Sequence, residues 1–513
     1  MSENDRRKVS IPKLPTGVPG LDEVLGGGLP EYAFTLIAGA PGTGKTTLSQ
    51  QLMFGLATPE RPALHFTVLG EPPLKMLRYQ QQFSFFDPAK VNSSVRFVNL
   101  SDEVLQRDLG AVLDAIVREV EAAGPAPARR RRIVVVDSFR PIVRAARASD
   151  NTGMELQGFL QRLALHLTTW QATTFLVGEY LESEQRDDPM LTVADGILWL
   201  HQSVDRNSSV RKLQVLKMRG QAPLPGLHTL RITDAGLHVY PRILKRIAET
   251  DNPRPDKRLS VGVAALDEMM GGGIPAWDSV LVAGPAGSGK SALATQFIAE
   301  GLERGEAGVI AVFEERPKEY VARAKTLGPD LQVMVEKGLL EVLYLRPLDL
   351  SVDEALLEIQ AAVRRMKAER LVIDSLSGFE LALAPTFRED FRESLYRMVG
   401  ALTSAGVTVF MTVEITVSFT DLQFSPDLIS FLTDDIILQR YVELDGEIRK
   451  VLAVIKMRRS QHSKQLRTYE VTPDGLSIGG DLTEYRGMIT GVAQRRSDLP
   501  QDQVAERPAR DLD

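Results

Sequence analysis

The chain has 513 residues, which at roughly 100–200 residues per domain predicts about two to four domains. Hydrophobic residues make up 43% of it, enough for buried cores, and the formal net charge of −6 excludes a protein that binds nucleic acid through an overall cationic surface. Cysteine is absent, which excludes disulfides and thiolate metal sites and suits a reducing cytosol. We therefore expect a cytoplasmic, multidomain protein.

The sequence shows no signal peptide, no membrane-spanning segment and no histidine pattern typical of a metal site. The start, MSENDRRKVS, is polar and lacks the apolar core of a signal peptide. No run of about 18 apolar residues occurs, so we expect no membrane span. The six histidines are scattered without helical metal-ligand spacing, and we interpret them as surface or core residues.

The first predicted elements are a strand and a helix on either side of a glycine-rich turn. FTLIAGA (Phe34 to Ala40) is a short apolar run, and TTLSQQLMFGL after the turn has helical spacing of apolar residues. LHFTVL, RIVVVD and TTFLVGE are further compact apolar runs, and LGAVLDAIVREVEAA between them is helical. Continuous apolarity indicates strands buried on both faces, so we predict an α/β fold with a mainly parallel sheet flanked by helices.

A second half repeats the first. TGVPGLDEVLGGGLP and VGVAALDEMMGGGIP align without a gap, with Pro30 opposite Pro275, an offset of 245. Three more pairs follow in the same order: GAPGTGKT with GPAGSGKS, RIVVVDSF with RLVIDSLS, and VLKMRGQ with VIKMRRS. We predict domains at residues 1–245 and 246–485, joined by a charged linker with two prolines near residues 242–260. Residues 486–513 are mostly polar, and we expect a disordered tail.

Each half contains the pattern G-x-x-x-x-G-K-[ST] between a predicted strand and a predicted helix. Such a loop directs backbone N–H groups at phosphates, its lysine neutralises the outer phosphates, and the helix start adds a partial positive charge. Two copies in this context argue against a chance flexible loop. The predicted ATP-binding residues are Gly39, Ala40, Pro41, Gly42, Thr43, Gly44, Lys45, Thr46, Thr47, Gly284, Pro285, Ala286, Gly287, Ser288, Gly289, Lys290, Ser291 and Ala292.

An aspartate ends a buried strand after each loop. Asp137 and Asp374 are each followed by serine. A strand-end aspartate is often only a turn former, but its position after a phosphate loop, twice, favours Mg²⁺ binding. The loop hydroxyls of Thr46 and Ser291 complete the predicted metal ligands.

A pair of glutamates ends another apolar run in the second half only. Glu314 and Glu315 follow VIAVF, whereas Gly70 and Glu71 stand in the first half. A carboxylate here can polarise an attacking hydroxyl or water, and adjacent strand-end acids point to opposite faces. We predict Glu314, Glu315 and Glu71 as catalytic candidates, with weaker hydrolysis in the first half; a solvated acidic turn is the alternative.

From about Thr16 to Gly480 the chain resembles the KaiC family of circadian-clock ATPases and autokinases, within the RecA-like superfamily. The resemblance rests on the paired LDE…GGG blocks, both loops, FEERP, VIDSLS, DDIILQRYVEL and both KMR triplets. It implies two tandem RecA-like P-loop NTPase domains in a double-ring homohexamer, with ATP and Mg²⁺ between subunits. It also implies that two basic pairs, one in each domain, reach the ATP of a neighbouring subunit: Lys217 with Arg219, and Lys456 with Arg458. Without the resemblance, the KMR triplets indicate only a strand with two outward basic side chains.

The resemblance further implies serine phosphorylation in the second domain. Ser430 falls on the serine of the family's acceptor pair, Phe431 replaces its threonine, and Ser425 falls on a nearby family threonine. Ser430 and Ser425 are therefore the candidate phospho-acceptors, with ordinary loop serines as the alternative. A KaiB-like protein is a candidate partner, although LGEP in the first domain departs from the family's paired glutamates. The polar end gives no match for a KaiA-binding segment, so we expect no KaiA binding.

Two other functions compete with a ring ATPase and serine autokinase in clock-like or signalling regulation. A RecA-like DNA-handling ATPase would need basic or aromatic loops that contact DNA. The dense basic cluster RRRR (residues 129–132) immediately precedes a predicted strand, and we interpret it as the solvent-exposed start of that strand. We therefore do not expect nucleic-acid binding. A mainly structural ATP-bound scaffold is the other alternative, against which the retained Glu314–Glu315 pair argues.

Overall fold

The computed structural model describes residues 11–68, 73–105, 109–122, 132–140, 142, 154–180, 189–205, 208–242, 253–326, 330–345, 350–383, 391–415, 433–487 and 494–495. It divides into two compact units, residues 1–242 and 243–513, called here the first and second domains. The predicted Glu71, Ser425 and Ser430, and the tail beyond Arg495, lie outside the described residues.

The described part of the first domain alternates strands and helices. Its strands are β1 (Lys13–Leu14), β2 (Leu29–Pro30), β3 (Phe34–Gly39), β4 (Ala63–Thr67), β5 (Val95–Asn99), β6 (Arg132–Asp137), β7 (Ala172–Glu179), β8 (Gly196–Asp205), β9 (Ser208–Met218), β10 (Leu227–Thr233) and β11 (Gly236–Tyr240). Its helices are α1 (Leu21–Val24), α2 (Lys45–Leu56), α3 (Pro73–Gln80), α4 (Ser101–Leu105), α5 (Leu109–Ala122), α6 (Met154–Thr169) and α7 (Pro189–Val193).

The second domain repeats this order of elements. Its described strands are β12 (Arg258–Leu259), β13 (Ile274–Pro275), β14 (Ser279–Gly284), β15 (Gly308–Val312), β16 (Leu340–Tyr344), β17 (Arg370–Asp374), β18 (Thr408–Glu414), β19 (Asp435–Leu444), β20 (Glu447–Met457), β21 (Arg467–Thr472), β22 (Gly475–Asp481), β23 (Tyr485–Arg486) and β24 (Gln494–Arg495). Its described helices are α8 (Ala264–Met269), α9 (Lys290–Glu303), α10 (Pro317–Lys325), α11 (Leu331–Glu336), α12 (Val352–Met366), α13 (Leu376–Ala382) and α14 (Phe391–Ser404).

Each domain is built on one large sheet, and the two sheets have the same topology. The strand order is β5-β4-β6-β7-β3-β8-β9-β10-β11 in the first and β16-β15-β17-β18-β14-β19-β20-β21-β22 in the second. Strands pair in parallel as far as β8 and β19, and the last three in each sheet are antiparallel. The predicted mainly parallel α/β fold, flanked by helices, is confirmed.

Burial explains why continuous apolar runs became strands. Every residue of β3 and of β14 is buried, because helices cover both faces of the parallel part of each sheet. Each sheet separates two apolar clusters, one on each face. In this arrangement the carboxyl ends of the parallel strands form one edge, where ligands bind in open α/β sheets.

The end of the predicted linker belongs to the second domain. Arg258 and Leu259 form β12, which pairs antiparallel with Ile274 and Pro275 of β13. A two-residue strand is too short to give an apolar run, which is why the sequence did not indicate it. No helix in the described part of the chain has the length and apolarity needed to cross a membrane.

Candidate nucleotide sites

The first glycine-rich loop joins the buried strand β3 to α2, whose first residue is Lys45. The Ala40 carbonyl accepts hydrogen bonds from the Thr43 hydroxyl at 2.8 Å and the Lys45 ammonium at 2.7 Å. Gly44 has φ +100°, and a Cβ there would lie 2.8 Å from Ile232 Cδ1, so this position requires glycine. The other predicted loop residues lie in this turn or at the adjoining ends of β3 and α2: Gly39, Pro41, Gly42, Thr46 and Thr47.

The second loop has the same form between β14 and α9. Lys290 donates to the carbonyls of Gly284 at 2.9 Å and Pro285 at 2.8 Å. Gly289 has φ +102°, and its Cβ would lie 2.8 Å from Val471 Cγ2. Both loops thus end at a helix start, where main-chain N–H groups favour an anion. The remaining predicted residues occupy the loop and the start of α9: Ala286, Gly287, Ser288, Ser291 and Ala292.

Each loop lysine is a buried cation facing carboxylates. Burial lowers the pKa of Lys45, and the negative charges of Glu179 and Asp137 oppose this fall. Burial likewise lowers the pKa of Lys290, and the opposing carboxylates, in order of effect, are those of Glu414, Asp374 and Glu314. Strand-end acids therefore surround each lysine at the carboxyl edge of its sheet.

Asp137 supplies a buried oxygen beside the first loop. Burial raises its pKa to about 6, while a hydrogen bond with the Thr46 side chain and the charge of Lys45 oppose the rise. Its Oδ2 is buried and finds no hydrogen-bond partner within the described residues. The same part of the chain holds no group of three or more His, Cys, Asp or Glu able to hold a metal alone. One carboxylate and one hydroxyl fit Mg²⁺ held jointly with nucleotide phosphates.

Asp374 occupies the matching position at the end of β17. The Thr412 hydroxyl donates to its Oδ1 at 2.5 Å. Its Oδ2 faces a cation, because Arg323 Nη2 lies 3.9 Å away. Ser291, the other predicted metal ligand, is the second residue of α9, and its carbonyl accepts a hydrogen bond from the Thr295 hydroxyl at 2.8 Å.

Glu314 and Glu315 have different partners. The Ser375 hydroxyl donates to Glu314 Oε1 at 3.2 Å, and the charge of Glu314 acts on Lys290. Glu315 instead forms an ion pair with Arg323, whose Nη2 lies 2.5 Å and Nε 3.2 Å from Oε1. Glu314 is therefore the member of the pair that faces the loop lysine.

The first KMR triplet lies away from its own loop, toward the amino ends of the parallel strands. Lys217 pairs across the sheet with Ile197, and Ile197 with Leu36, whereas the loop begins after Gly39. Leu36 is three residues before Gly39, and a strand rises about 3.3 Å per residue. Lys217 is therefore displaced by about 10 Å, measured along β3, from the point where the loop begins. Arg219 follows β9 and lies further toward the same edge.

Side-chain anchors hold this first pair in place. Lys217 donates to the carbonyls of Leu191 at 3.2 Å and Thr192 at 3.0 Å, and Arg219 pairs with Asp195 at 2.9 Å. Burial lowers the pKa of Lys217, and the nearby charge of Arg219 adds to this effect.

The second triplet repeats the placement. Lys456 pairs with Ile436, which pairs with Leu281, three residues before Gly284. Lys456 donates to the Thr433 carbonyl at 2.6 Å. Arg458 Nη1 lies 3.7 Å from Asp434 Oδ1. In neither domain does the fold bring the basic pair to the loop of the same domain.

Three charged residues near the loops were missed by the sequence reasoning. Glu179 and Glu414 end β7 and β18, in register with the last residues of the loop strands, Gly39 and Gly284. Their signal was present, since an acid ends an apolar run in TTFLVGE as it does in RIVVVD. The third, Arg323, gave none, because nothing in the run of α10 shows that it meets Glu315, eight residues earlier, and Asp374, which ends β17.

A surface groove of about 480 Å³ lies on strands β20 to β22 of the second domain. Its lining includes Tyr469, whose hydroxyl donates to the Ser288 carbonyl of the loop at 2.6 Å. Arg449, Lys450 and Glu470 supply its charged walls.

A comparison with known families agrees with the paired loops. The family described as "ATPase: KaiC" matches residues 14–243 and 259–483. The chain belongs to the KaiC ATPase family. As a KaiC-family member it carries the nucleotide-binding domain twice.

Relatives of known name match almost the whole chain. The "Circadian clock oscillator protein KaiC" of Acaryochloris marina is 28% identical over 499 residues, covering 96% of this chain and 94% of that protein. The protein of the same name from Rippkaea orientalis is 29% identical over 493 residues, 94% of this chain and 92% of its own. That of Thermostichus vulcanus is 26% identical over 503 residues, 97% of this chain and 94% of its own.

Proposed function

We propose that this KaiC-family chain is an ATPase that binds ATP and Mg²⁺ at both loops and assembles into a ring, in which each nucleotide site is completed by a neighbouring copy. The second domain also transfers phosphate to a serine of the ring, in clock-like or signalling regulation. The expected assembly is a homohexamer in the cytoplasm.

The observation that carries the proposal is the position of the basic pairs. Lys456 donates to a carbonyl at the amino edge of its sheet, whereas Lys290 stands at the carboxyl edge. A head-to-tail contact between copies would bring one chain's amino edge to the next chain's loop, and repetition of such a contact closes a ring. Cationic donors arriving there stabilise charge that develops on the transferred phosphoryl group.

The remaining groups of the second site suit phosphoryl transfer. Lys290 and the loop amides hold the outer phosphates, and Asp374 with Ser291 holds Mg²⁺. When bound, that ion neutralises charge on the phosphate oxygens. Glu314 accepts the proton of the attacking water or serine hydroxyl. Glu314 is favoured over Glu315 because Glu315 is already paired with Arg323.

The two domains are proposed to have different tasks. The first has Gly70 where the second has Glu314, so nucleotide bound there holds the assembly and turns over more slowly, through Glu71. A Lys45→Ala variant is therefore expected to lose the ring in ATP, whereas Lys290→Ala keeps it. Size-exclusion chromatography with light scattering measures this, and the reverse pattern would contradict the division.

Serine phosphorylation is the part that most needs a direct test. Ser430 is the proposed acceptor, with Ser425 as the second candidate, and a KaiB-like protein is the proposed partner; KaiA is not expected to bind. Phosphopeptide mass spectrometry after incubation with Mg²⁺·ATP is expected to find phosphate on these serines in the natural protein and none in Glu314→Gln. ATP turnover without phosphate on any serine would leave a ring ATPase and remove the kinase. Salt-dependent DNA binding would instead favour the DNA-handling alternative.

A further inference from the structure

Arg323 on α10 lies between two carboxylates of the second site. Its guanidinium is paired with Glu315, with Nη2 at 2.5 Å and Nε at 3.2 Å from Oε1. The same Nη2 is 3.9 Å from Asp374 Oδ2. The Arg323 cation thus stands near hydrogen-bond range of a proposed Mg²⁺ ligand while it is bound elsewhere.

The guanidinium also contacts an aromatic ring. Its Cζ lies 4.7 Å from the ring centre of Tyr320, a cation–π contact. Tyr320 is wholly buried, and its hydroxyl lies 3.3 Å from Thr295 Oγ1. The Thr295 hydroxyl bonds to the Ser291 carbonyl at 2.8 Å, so the ring beneath Arg323 is tied to the loop helix.

The two oxygens of Asp374 have different partners. Oδ1 accepts the Thr412 hydroxyl at 2.5 Å, and Oδ2 is the oxygen that lies 3.9 Å from Arg323 Nη2. A movement of about 1 Å would bring Arg323 into direct hydrogen-bond contact with that oxygen. An arginine in that position would compete with Mg²⁺ for Asp374 Oδ2.

Among the described residues, the first domain does not show this arrangement. Counted from the first residue of each helix, Pro73 and Pro317, Tyr79 stands in α3 where Arg323 stands in α10. The buried Oδ2 of Asp137 has no hydrogen-bond partner among residues that the structure describes. The competition is thus a feature of the second site.

We propose that Glu315 is a positioning residue that restrains Arg323, keeping its charge off Asp374 so that this carboxylate stays available to Mg²⁺. This inference rests on the proposed function of the second site and gives the second glutamate a task distinct from that of Glu314. Loss of the Glu315 charge frees Arg323 to close on Asp374. Removal of Arg323 itself abolishes the competition, whether or not Glu315 is present.

The test is the affinity of the second site for Mn²⁺, a spin probe of Mg²⁺ sites. Full-length protein with a non-hydrolysable ATP analogue is titrated with Mn²⁺, and free Mn²⁺ is read by electron paramagnetic resonance. The second site is the class of bound Mn²⁺ that Lys290→Ala removes. Glu315→Gln is expected to weaken this class about tenfold, the low end of what losing a partner of a metal ligand costs. Adding Arg323→Ala to Glu315→Gln restores the affinity, which a merely structural role for Glu315 would not allow.

The controls separate this inference from the proposed function. Lys325→Ala removes another α10 cation, one paired with Asp330 at 2.9 Å, and is expected to change nothing. Unchanged Mn²⁺ affinity in Glu315→Gln, or a double variant as weak as Glu315→Gln alone, overturns the restraint while leaving the second site intact. Absence of any Mn²⁺ class that depends on Lys290 overturns the proposed second site and the restraint together.

Discussion

Asp435, the first residue of β19, is predicted to destabilise the second domain at neutral pH. Its side chain is wholly buried. Burial raises the pKa of this carboxyl from 3.8 to about 7, and the negative charges of Asp278 and Asp434 add to the rise. Because the folded protein holds the proton more tightly than the unfolded chain, ionisation costs folding free energy. The difference between 3.8 and about 7 corresponds to at most about 4 kcal/mol.

The pH window follows from these two values. The cost is absent below pH 4, grows by about 1.4 kcal/mol per pH unit up to pH 7, and is constant above it. Asp435→Asn removes the ionisation and nearly keeps the shape. Because the folded carboxyl is half ionised at pH 7, the gain in free energy of unfolding over the natural protein should rise by about 2 kcal/mol from pH 5 to pH 7 and level off by about pH 8.

Tryptophan fluorescence can follow the second domain alone in urea. The chain has three tryptophans, of which only Trp277 lies in the second unit. Trp170 and Trp199 are replaced by phenylalanine in both proteins compared, so that the signal comes from Trp277. Titrating groups that do not interact with Asp435 cancel in the difference. A stability gain that does not vary with pH between 5 and 7 would refute the reasoning.

Two further predictions concern the loop and its carboxylate. Gly289→Ala places a Cβ 2.8 Å from Val471 at φ +102° and should lower the free energy of unfolding, measured in urea, by about 2 kcal/mol or more. Gly305 also has a left-handed backbone, but a Cβ there would have no atom within 4 Å, so Gly305→Ala should cost less. Thr412→Val removes the hydroxyl that donates to Asp374 and orients this carboxylate, and it should weaken Mn²⁺ binding at the second site about tenfold. The same spin-probe titration measures this. Unchanged affinity would show that the hydrogen bond does not orient the carboxylate.

Much of the fold was accessible from the sequence because it depends on local patterns. The runs FTLIAGA and RIVVVD became β3 and β6, since a strand buried on both faces must be apolar along its length. The loops were readable because each needs glycine at fixed positions, as Gly44 and Gly289 illustrate. The antiparallel extension of β9 to β11 was not specified, because its strands mix polar and apolar residues.

The electrostatics of the sites could not be read from the sequence in the same way. In TDDIIL, nothing marks Asp435 as buried and Asp434 as the partner of Arg458. The burial of an acid depends on what packs over it, not on its neighbours in the chain. Arg323 is the same case, because its effect depends on two carboxylates that meet only in the folded domain.

The central claim is that each nucleotide site is shared between neighbouring copies, and mixing two inactive variants tests it most directly. Lys290→Ala lacks the loop lysine and Lys456→Ala/Arg458→Ala lacks the donors to the next copy. Each variant alone is expected to lose the ATP turnover of the second domain. Equal mixing under conditions of subunit exchange leaves about one head-to-tail interface in four intact on both sides. We predict that about a quarter of the second-domain turnover returns; a mixture as inactive as its parts, with exchange demonstrated, would contradict the account.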